Sequence, residues 1–208
     1  MIQVYYAAPS IYGRKVLAVL EEKELDYEIK KLSFADKDHL KADYLKINPN
    51  GEIPALVDEG FTVYESTAIV EYLNDEYPEP PLMPEDSEGR AQVRMIDDYC
   101  DLHLYPEIVR CMFKKILKHE ELTADDIKAL AEKMKRIDDY LAKKTWLVGD
   151  FSIADCAIMP AISSLEAFGV LDECLTTPEL KSYAGRLKAR KGYKGGNLLS
   201  VETAATAS

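Results

Sequence analysis

The chain has 208 residues, 47% of them hydrophobic, and 26 basic against 37 acidic side chains give a formal net charge of −11. Such a length buries one large core or two modest ones, and so acidic a balance excludes the basic surface that holds nucleic acid. No run approaches the roughly 18 apolar residues of a membrane span, and Met1-Ile2-Gln3-Val4 lacks a basic region followed by an apolar one, so a cytoplasmic protein away from membranes is expected.

The charge is uneven. Residues 1–80 carry 8 basic and 16 acidic side chains, and residues 81–208 carry 18 and 21. An anionic ligand in the first half must therefore be held by local cations and helix ends, for which Arg14, His39 and Lys41 are candidates.

Residues 2–6 predict a strand and residues 10–24 a helix with its apolar face at Val16, Val19 and Leu20. A second strand at 27–32 completes a right-handed parallel unit. A short helix at 38–46 leads to the turn Asn48-Pro49-Asn50-Gly51, after which Pro54 heads a strand at 55–58. Glu59-Gly60 turns that strand into an antiparallel partner at 61–64. Ser66 is expected to cap the next helix, whose buried stripe is Ile69, Val70, Tyr72 and Leu73. This order of elements predicts an α/β, thioredoxin-like domain over residues 1–78 with a mixed four-stranded sheet.

Pro78, Pro80, Pro81 and Pro84 crowd a stretch that no regular element tolerates, so residues 79–86 read as a linker. Strand signals then stop, and residues 87–208 read as all-helical. One long pattern at 88–118 is bent or divided by Pro106, and Thr123 opens a helix to about residue 143. Ser152-Ile153-Ala154-Asp155 is a capping-box variant opening a helix to about residue 168, and Thr177-Pro178-Glu179 starts the last one. From Lys188 the chain is basic, then rich in Gly, Ala and Thr, and is expected to be loosely ordered. Cys100, Cys111, Cys156 and Cys174 stand too far apart for a redox or zinc pair and read as buried thiols, so no metal is expected.

Three places carry chemistry. Ser10 lies at a helix start, where it either caps that helix or donates its hydroxyl toward a bound sulfur. A thiol of pKa roughly 8.5 needs about 2.7 kcal/mol of selective anion stabilisation to ionise two units lower, and a hydroxyl plus a helix end supplies such a term. Pro54 either begins a strand in the ordinary way or follows a cis bond that turns the Ile53 backbone toward a peptide. Glu65 and Ser66 open a helix, where they either serve the helix itself or receive an amine and a carboxylate, the two functions of a γ-glutamyl group. His39 and Lys41 suit a second carboxylate or are merely solvated. The stripe Tyr105, Ile108, Val109 and Met112 is core packing or the wall of a pocket. Together they describe a site for a small peptide-like thiol.

The ordered set Val4-Tyr5-Tyr6, Ser10 with Arg14, His39-Leu40, Tyr44-Leu45-Lys46-Ile47-Asn48-Pro49, Ile53-Pro54-Ala55-Leu56-Val57-Asp58, Gly60-Phe61 and Glu65-Ser66-Thr67-Ala68-Ile69 resembles the glutathione S-transferase family. Its serine-type delta, theta and phi-like branches are the nearest in pattern. A weaker match continues through residues 147–155. The resemblance implies a homodimer that joins glutathione to small hydrophobic electrophiles. It makes Ser10 the thiolate-stabilising hydroxyl and Ile53-Pro54 the backbone partner of the cysteinyl unit. Glu65 and Ser66 become the γ-glutamyl binders, and His39 a contact for the glycyl end. Tyr105 and Met112 become candidates for the hydrophobic site, and Ser152 and Asp155 a structural cap. Because some relatives use a tyrosine at the end of the first strand, Tyr6 is the rival to Ser10; Tyr5 must point to the opposite face. Isomerisation, dehalogenation, peroxide reduction, or a non-catalytic role as an interaction module are the alternatives on the same fold. Delta-type relatives often carry His at Gly51 and Arg at Thr67, so fewer cationic contacts and weaker glutathione affinity are expected. Phi-type relatives carry an aromatic clasp at Asn50.

Overall fold

A computed structural model describes residues 1–195. Strand β1 (Ile2–Tyr6) alternates along its length: Ile2, Val4 and Tyr6 enter the main core, whereas Tyr5 packs on the other face against Tyr44. It pairs parallel with β2 (Tyr27–Lys31) and antiparallel with β3 (Ala55–Asp58), which turns into β4 (Phe61–Tyr64), for a sheet order β2-β1-β3-β4. The expected helix at 38–46 is a 3-10 turn, Asp38–Leu40, followed by α2 (Ala42–Leu45).

Helix α1 (Ile11–Glu22) begins at its cap Ser10 and lies between the sheet and the helical half of the chain, so it is buried almost all round. Its Arg14, Lys15 and Glu22 are therefore enclosed too, as is Lys23 just past its end, and each has a partner. Arg14 donates to the Ser163 and Ser164 hydroxyls at 2.8 Å each. Lys15 meets Asp97 and Asp101. Glu22 accepts from Arg190 and from Gly192 N, and Lys23 donates to the carbonyls of Tyr77 and Pro80. Those last bonds fasten the proline-rich crossing, which is further held by Leu82 N donating to Asn74 Oδ1 and Ile153 N donating to Leu82 O.

Helix α3 (Ser66–Glu76) differs from expectation at its start. Glu65 occupies the cap position without a side-chain cap bond, and Ser66 is the first helical residue. Helix α4 (Ser87–Tyr99) runs into a π turn, Cys100–Leu104, then α5 (Tyr105–Met112) and a second π turn, Phe113–Leu117. Pro106 accounts for the first interruption, because its missing N–H leaves preceding carbonyls without a helical donor; the Tyr12 hydroxyl donates to one of them, Asp101 O, at 3.3 Å. Helices α6 (Ala124–Leu141), α7 (Ile153–Phe168), the unforeseen single turn α8 (Leu171–Cys174) and α9 (Pro178–Ala189) complete the described residues. All four cysteines are free and buried.

The expectation of a loose end from Lys188 is corrected as far as residue 195. The Arg190 guanidinium lies 3.5 Å from the Phe151 ring centroid while binding Glu22, and Tyr193 donates to Glu166. Gly192 packs so close to α1 that a Cβ there would meet Ala18 O at 2.6 Å. The remaining tail, 196–208, lies outside the described residues.

Asp155 holds the helical half together. Its carboxylate accepts from Ser152 N, Leu147 N and the Tyr183 hydroxyl at 3.0, 3.1 and 2.8 Å, joining the α7 cap to α9. Burial pushes this carboxyl up to about 6, against donors that favour its ionised form. Asp155→Ala would strand those buried donors and remove the cap, for an expected loss of about 3 kcal/mol in urea unfolding. A loss below about 1 kcal/mol would contradict this role.

Candidate functional site

One cavity of about 920 Å³ opens between the two halves of the molecule. Its polar side is built from four places that the sheet brings together: Ser10 ahead of α1, His39 in the 3-10 turn, Ile53-Pro54 entering β3, and Glu65-Ser66-Thr67 at the start of α3. Its apolar side is the α4–α5 line, with Leu102, Val109, Met112, Phe113, Ile116 and Leu117. The two π turns supply four of these six side chains, Leu102, Phe113, Ile116 and Leu117, a placement that fits the frequent occurrence of π turns at functional sites.

Ser10 does more than cap. Its Oγ accepts from Gly13 N at 3.0 Å and donates to Ile53 O at 3.2 Å, so one hydroxyl ties the head of α1 to the lead-in of β3. Gly13 has no room for a side chain, since a Cβ would meet the Tyr6 ring at 2.6 Å. The Ile53-Pro54 bond is cis, and Ile53 O faces the same cavity edge as Ser10. Glu65 stands at φ 70°, a backbone conformation costing on the order of 1–3 kcal/mol for a non-glycine residue and concentrated at ligand sites. Its carboxylate accepts from Asn50 Nδ2 at 3.3 Å. His39 lies edge-on to Phe34, and its Nδ1 is enclosed without a hydrogen-bond partner.

Several candidates lie elsewhere. Tyr6 is in the core, donating to Ala8 O, and burial pushes its phenol up to about 12; it does not line the cavity. Arg14 faces α7, away from any ligand, and Lys41 is exposed and paired with Asp38. Tyr105 also misses the cavity. It sits at the foot of α5 beneath the Tyr12 ring, 5.2 Å away and edge-on, with its hydroxyl donated to Ala157 O; Met112, two turns further along, does line the cavity. Ile108 is likewise fully enclosed in the core.

Some residues escaped the sequence reading. Tyr12, Leu102, Phe113, Ile116 and Leu117 line the cavity, and for the last three the apolar spacing past Met112 was the signal. Behind Thr67 lies a buried charge cluster. Lys15 Nζ is 2.9 Å from Asp97 Oδ1, 2.9 Å from Asp101 Oδ2 and 3.2 Å from Thr67 Oγ1, and Ser66 Oγ donates to Asp101 Oδ2 at 3.4 Å. Lys15, the cation nearest position 67, is enclosed against two carboxylates and does not line the cavity. Asp97 and Asp101, four apart and both opposite a helix-borne lysine, were the legible trace of it.

The model of the glutathione S-transferase N-terminal domain matches residues 9–76, and that of the C-terminal domain matches residues 100–191. Glutathione S-transferase hmp2 of Hypomyces subiculosus is 30% identical over 205 residues, covering 93% of this chain and 96% of its own. The chain belongs to the glutathione S-transferase family. A stringent starvation protein A homolog of Histophilus somni is also similar, 28% identical over 88% of this chain and 84% of its own. Among solved structures, an epsilon-class glutathione S-transferase from housefly, Musca domestica, aligns with TM-score 0.85 at 25% identity, covering 99% of this chain and 98% of its own. Glutathione transferase F7 from Populus trichocarpa aligns with TM-score 0.84 at 22% identity, covering 96% of this chain and 99% of its own.

The cavity joins a polar wall to an apolar one. Among the described residues no cluster of His, Cys, Asp or Glu is placed to hold a metal ion, and no helix is long and apolar enough to cross a membrane. The apolar wall should bind a neutral, environment-sensitive dye. Met112→Asp would place a charge on that wall, and dye affinity is expected to fall about ten-fold. Unchanged fluorescence titration would place the dye, and the apolar site, elsewhere.

Proposed function

We propose that the chain is a cytoplasmic glutathione transferase that ionises the glutathione thiol and delivers it to an electrophilic carbon of a hydrophobic compound. The observation that carries this is the convergence of Ser10, Ile53 and Glu65-Ser66 on one side of a cavity whose other side is apolar. Ile53 O would accept from the cysteinyl N–H, releasing the Ser10 hydroxyl to donate to the sulfur. Glu65 would take the γ-glutamyl amine, the head of α3 its carboxylate, and His39 the glycyl end. The thiol proton leaves to solvent. The thiolate then forms the new S–C bond as the leaving group departs with its electron pair, from an aryl halide as halide ion. Serine stays uncharged and forms no covalent bond.

The same site serves isomerisation, dehalogenation or peroxide reduction, which product analysis with a panel of electrophiles would separate. A non-catalytic interaction module is favoured by one observation, the similarity to stringent starvation protein A homologs. Retention of Ser10 and of Glu65-Ser66 speaks for the enzyme. The exposed apolar side chains Phe61 on β4 and Met95 on α4 are surface of the kind a homodimer would cover.

Ser10→Ala should lower kcat/KM for a reactive aryl halide about a hundred-fold at neutral pH while calorimetric glutathione affinity changes less than about five-fold. Unchanged turnover would remove Ser10 from the role. A wild-type protein giving no heat with millimolar glutathione would favour the interaction module.

A further inference from the structure

The wall of the cavity carries charge of one sign. Glu52, Glu65 and Asp101 line it, no Lys or Arg does so among the described residues, and the sequence from 196 to 208 contains neither. Asp101 is held against Lys15, and Glu65 accepts from Asn50 Nδ2. Glu52 is different. Its side chain is exposed at the cavity edge, and its carboxylate has neither an ion pair nor a hydrogen bond among the described residues. The backbone fixes it there, because Glu52 O accepts from the Tyr44 hydroxyl and from Asn48 Nδ2. Gly51, just before it, packs so close to the 3-10 turn that a Cβ would lie 3.2 Å from His39 O. Glu52 and His39 therefore share one edge of the cavity. The Tyr12 phenol, also on the cavity wall, is pushed up by burial, by Asp101 and, more weakly, by Glu52, so this charge is felt inside.

The charged ends of a bound glutathione meet unequal surroundings in this arrangement. The head of α1 faces the sulfur and the head of α3 the γ-glutamyl carboxylate, each with free N–H groups and the positive end of a helix. The glycyl carboxylate has no such help. It meets a three-residue 3-10 turn, one imidazole and the Glu52 carboxylate, with no lysine or arginine to set against them. Like charges so placed repel, and solvent weakens the repulsion without removing it.

We propose that the thiol substrate of this site is a γ-glutamyl-cysteinyl peptide whose far end carries no negative charge, an amide of the glycyl carboxylate and above all one bearing an amine, and that Glu52 selects it. This rests on the glutathione reading above and names within it the class of thiol. The chemistry at sulfur is unchanged, because the far end takes no part in it. A neutral amide removes the repulsion at Glu52, and a cationic one replaces it with attraction.

The test is calorimetry with three probes: glutathione, its glycyl amide, and its glycyl amide with diaminobutane, which ends in an ammonium. At about 50 mM salt the wild-type protein should bind the plain amide about five-fold and the cationic amide about twenty-fold more tightly than glutathione. At about 1 M salt both preferences should shrink to within about two-fold. Glu52→Gln keeps the shape and removes the charge, so it should bind glutathione about five-fold more tightly than wild type and all three probes alike within about two-fold. A preference that persists at high salt and in Glu52→Gln protein comes from shape or apolar contact and overturns the inference. If the variant fails to fold, the salt dependence of the wild-type protein decides alone. Glutathione binding as tightly as both amides, or more tightly, overturns the inference and leaves the glutathione reading standing. No heat from any of the three at millimolar concentration removes both.

Discussion

The two hydrogen bonds of the Ser10 hydroxyl fix the geometry on which the site depends. By accepting from Gly13 N the side chain closes the first turn of α1, and by donating to Ile53 O it sets the distance between that helix and the strand beside it. The positive end of α1 and the carbonyl that a peptide would pair with are thereby brought to one edge of the cavity. The donor bond is also exchangeable. A peptide N–H arriving at Ile53 O competes with Ser10, and an ionising sulfur is the stronger acceptor for the hydroxyl, because a hydrogen bond to an anion is worth roughly twice a neutral one. Binding and thiol ionisation then draw on the same exchange.

Around that bond, α1 is the element through which the two halves of the chain are joined. Its Arg14, Lys15 and Glu22 reach α7, α4 and the segment after α9, respectively. Each is a charged group removed from water and held by a specific partner, although Arg14 Nε stays enclosed without one, an arrangement that fixes register more than it adds stability. The cavity lies at the seam these contacts hold, so its width is set by interdomain docking. Asp155 and the α7 cap work at the far side of the same seam by holding the helices against which α1 packs.

The sheet was legible in the residues. Alternation at Ile2, Val4 and Tyr6, the Glu59-Gly60 turn and the proline at position 54 place all four strands within one residue of where they occur. Helix caps at Thr123, Ser152 and Thr177 were equally plain because a cap is a local hydrogen bond. What escaped was decided by docking. Arg14 read as a candidate for an anionic ligand and Lys15 drew no notice, since their partners on α7 and α4 lie some 80 to 150 residues away in sequence. Tyr105 and Met112 share a helical stripe, yet only a packed structure reveals that Tyr12 covers the first and leaves the second open. The cap of α3 was misplaced by one residue because Glu65 adopts a positive φ that its side chain gives no reason to foresee.

The most direct measurement is the ionisation of glutathione bound to the wild-type protein, followed by thiolate absorbance as pH is raised with ligand at saturation. A thiol beside the Ser10 hydroxyl and the head of α1 is expected to titrate about two units below the free value of roughly 8.5. A bound thiol that titrates at the free value would contradict the assignment of Ser10 as the group that stabilises its anion.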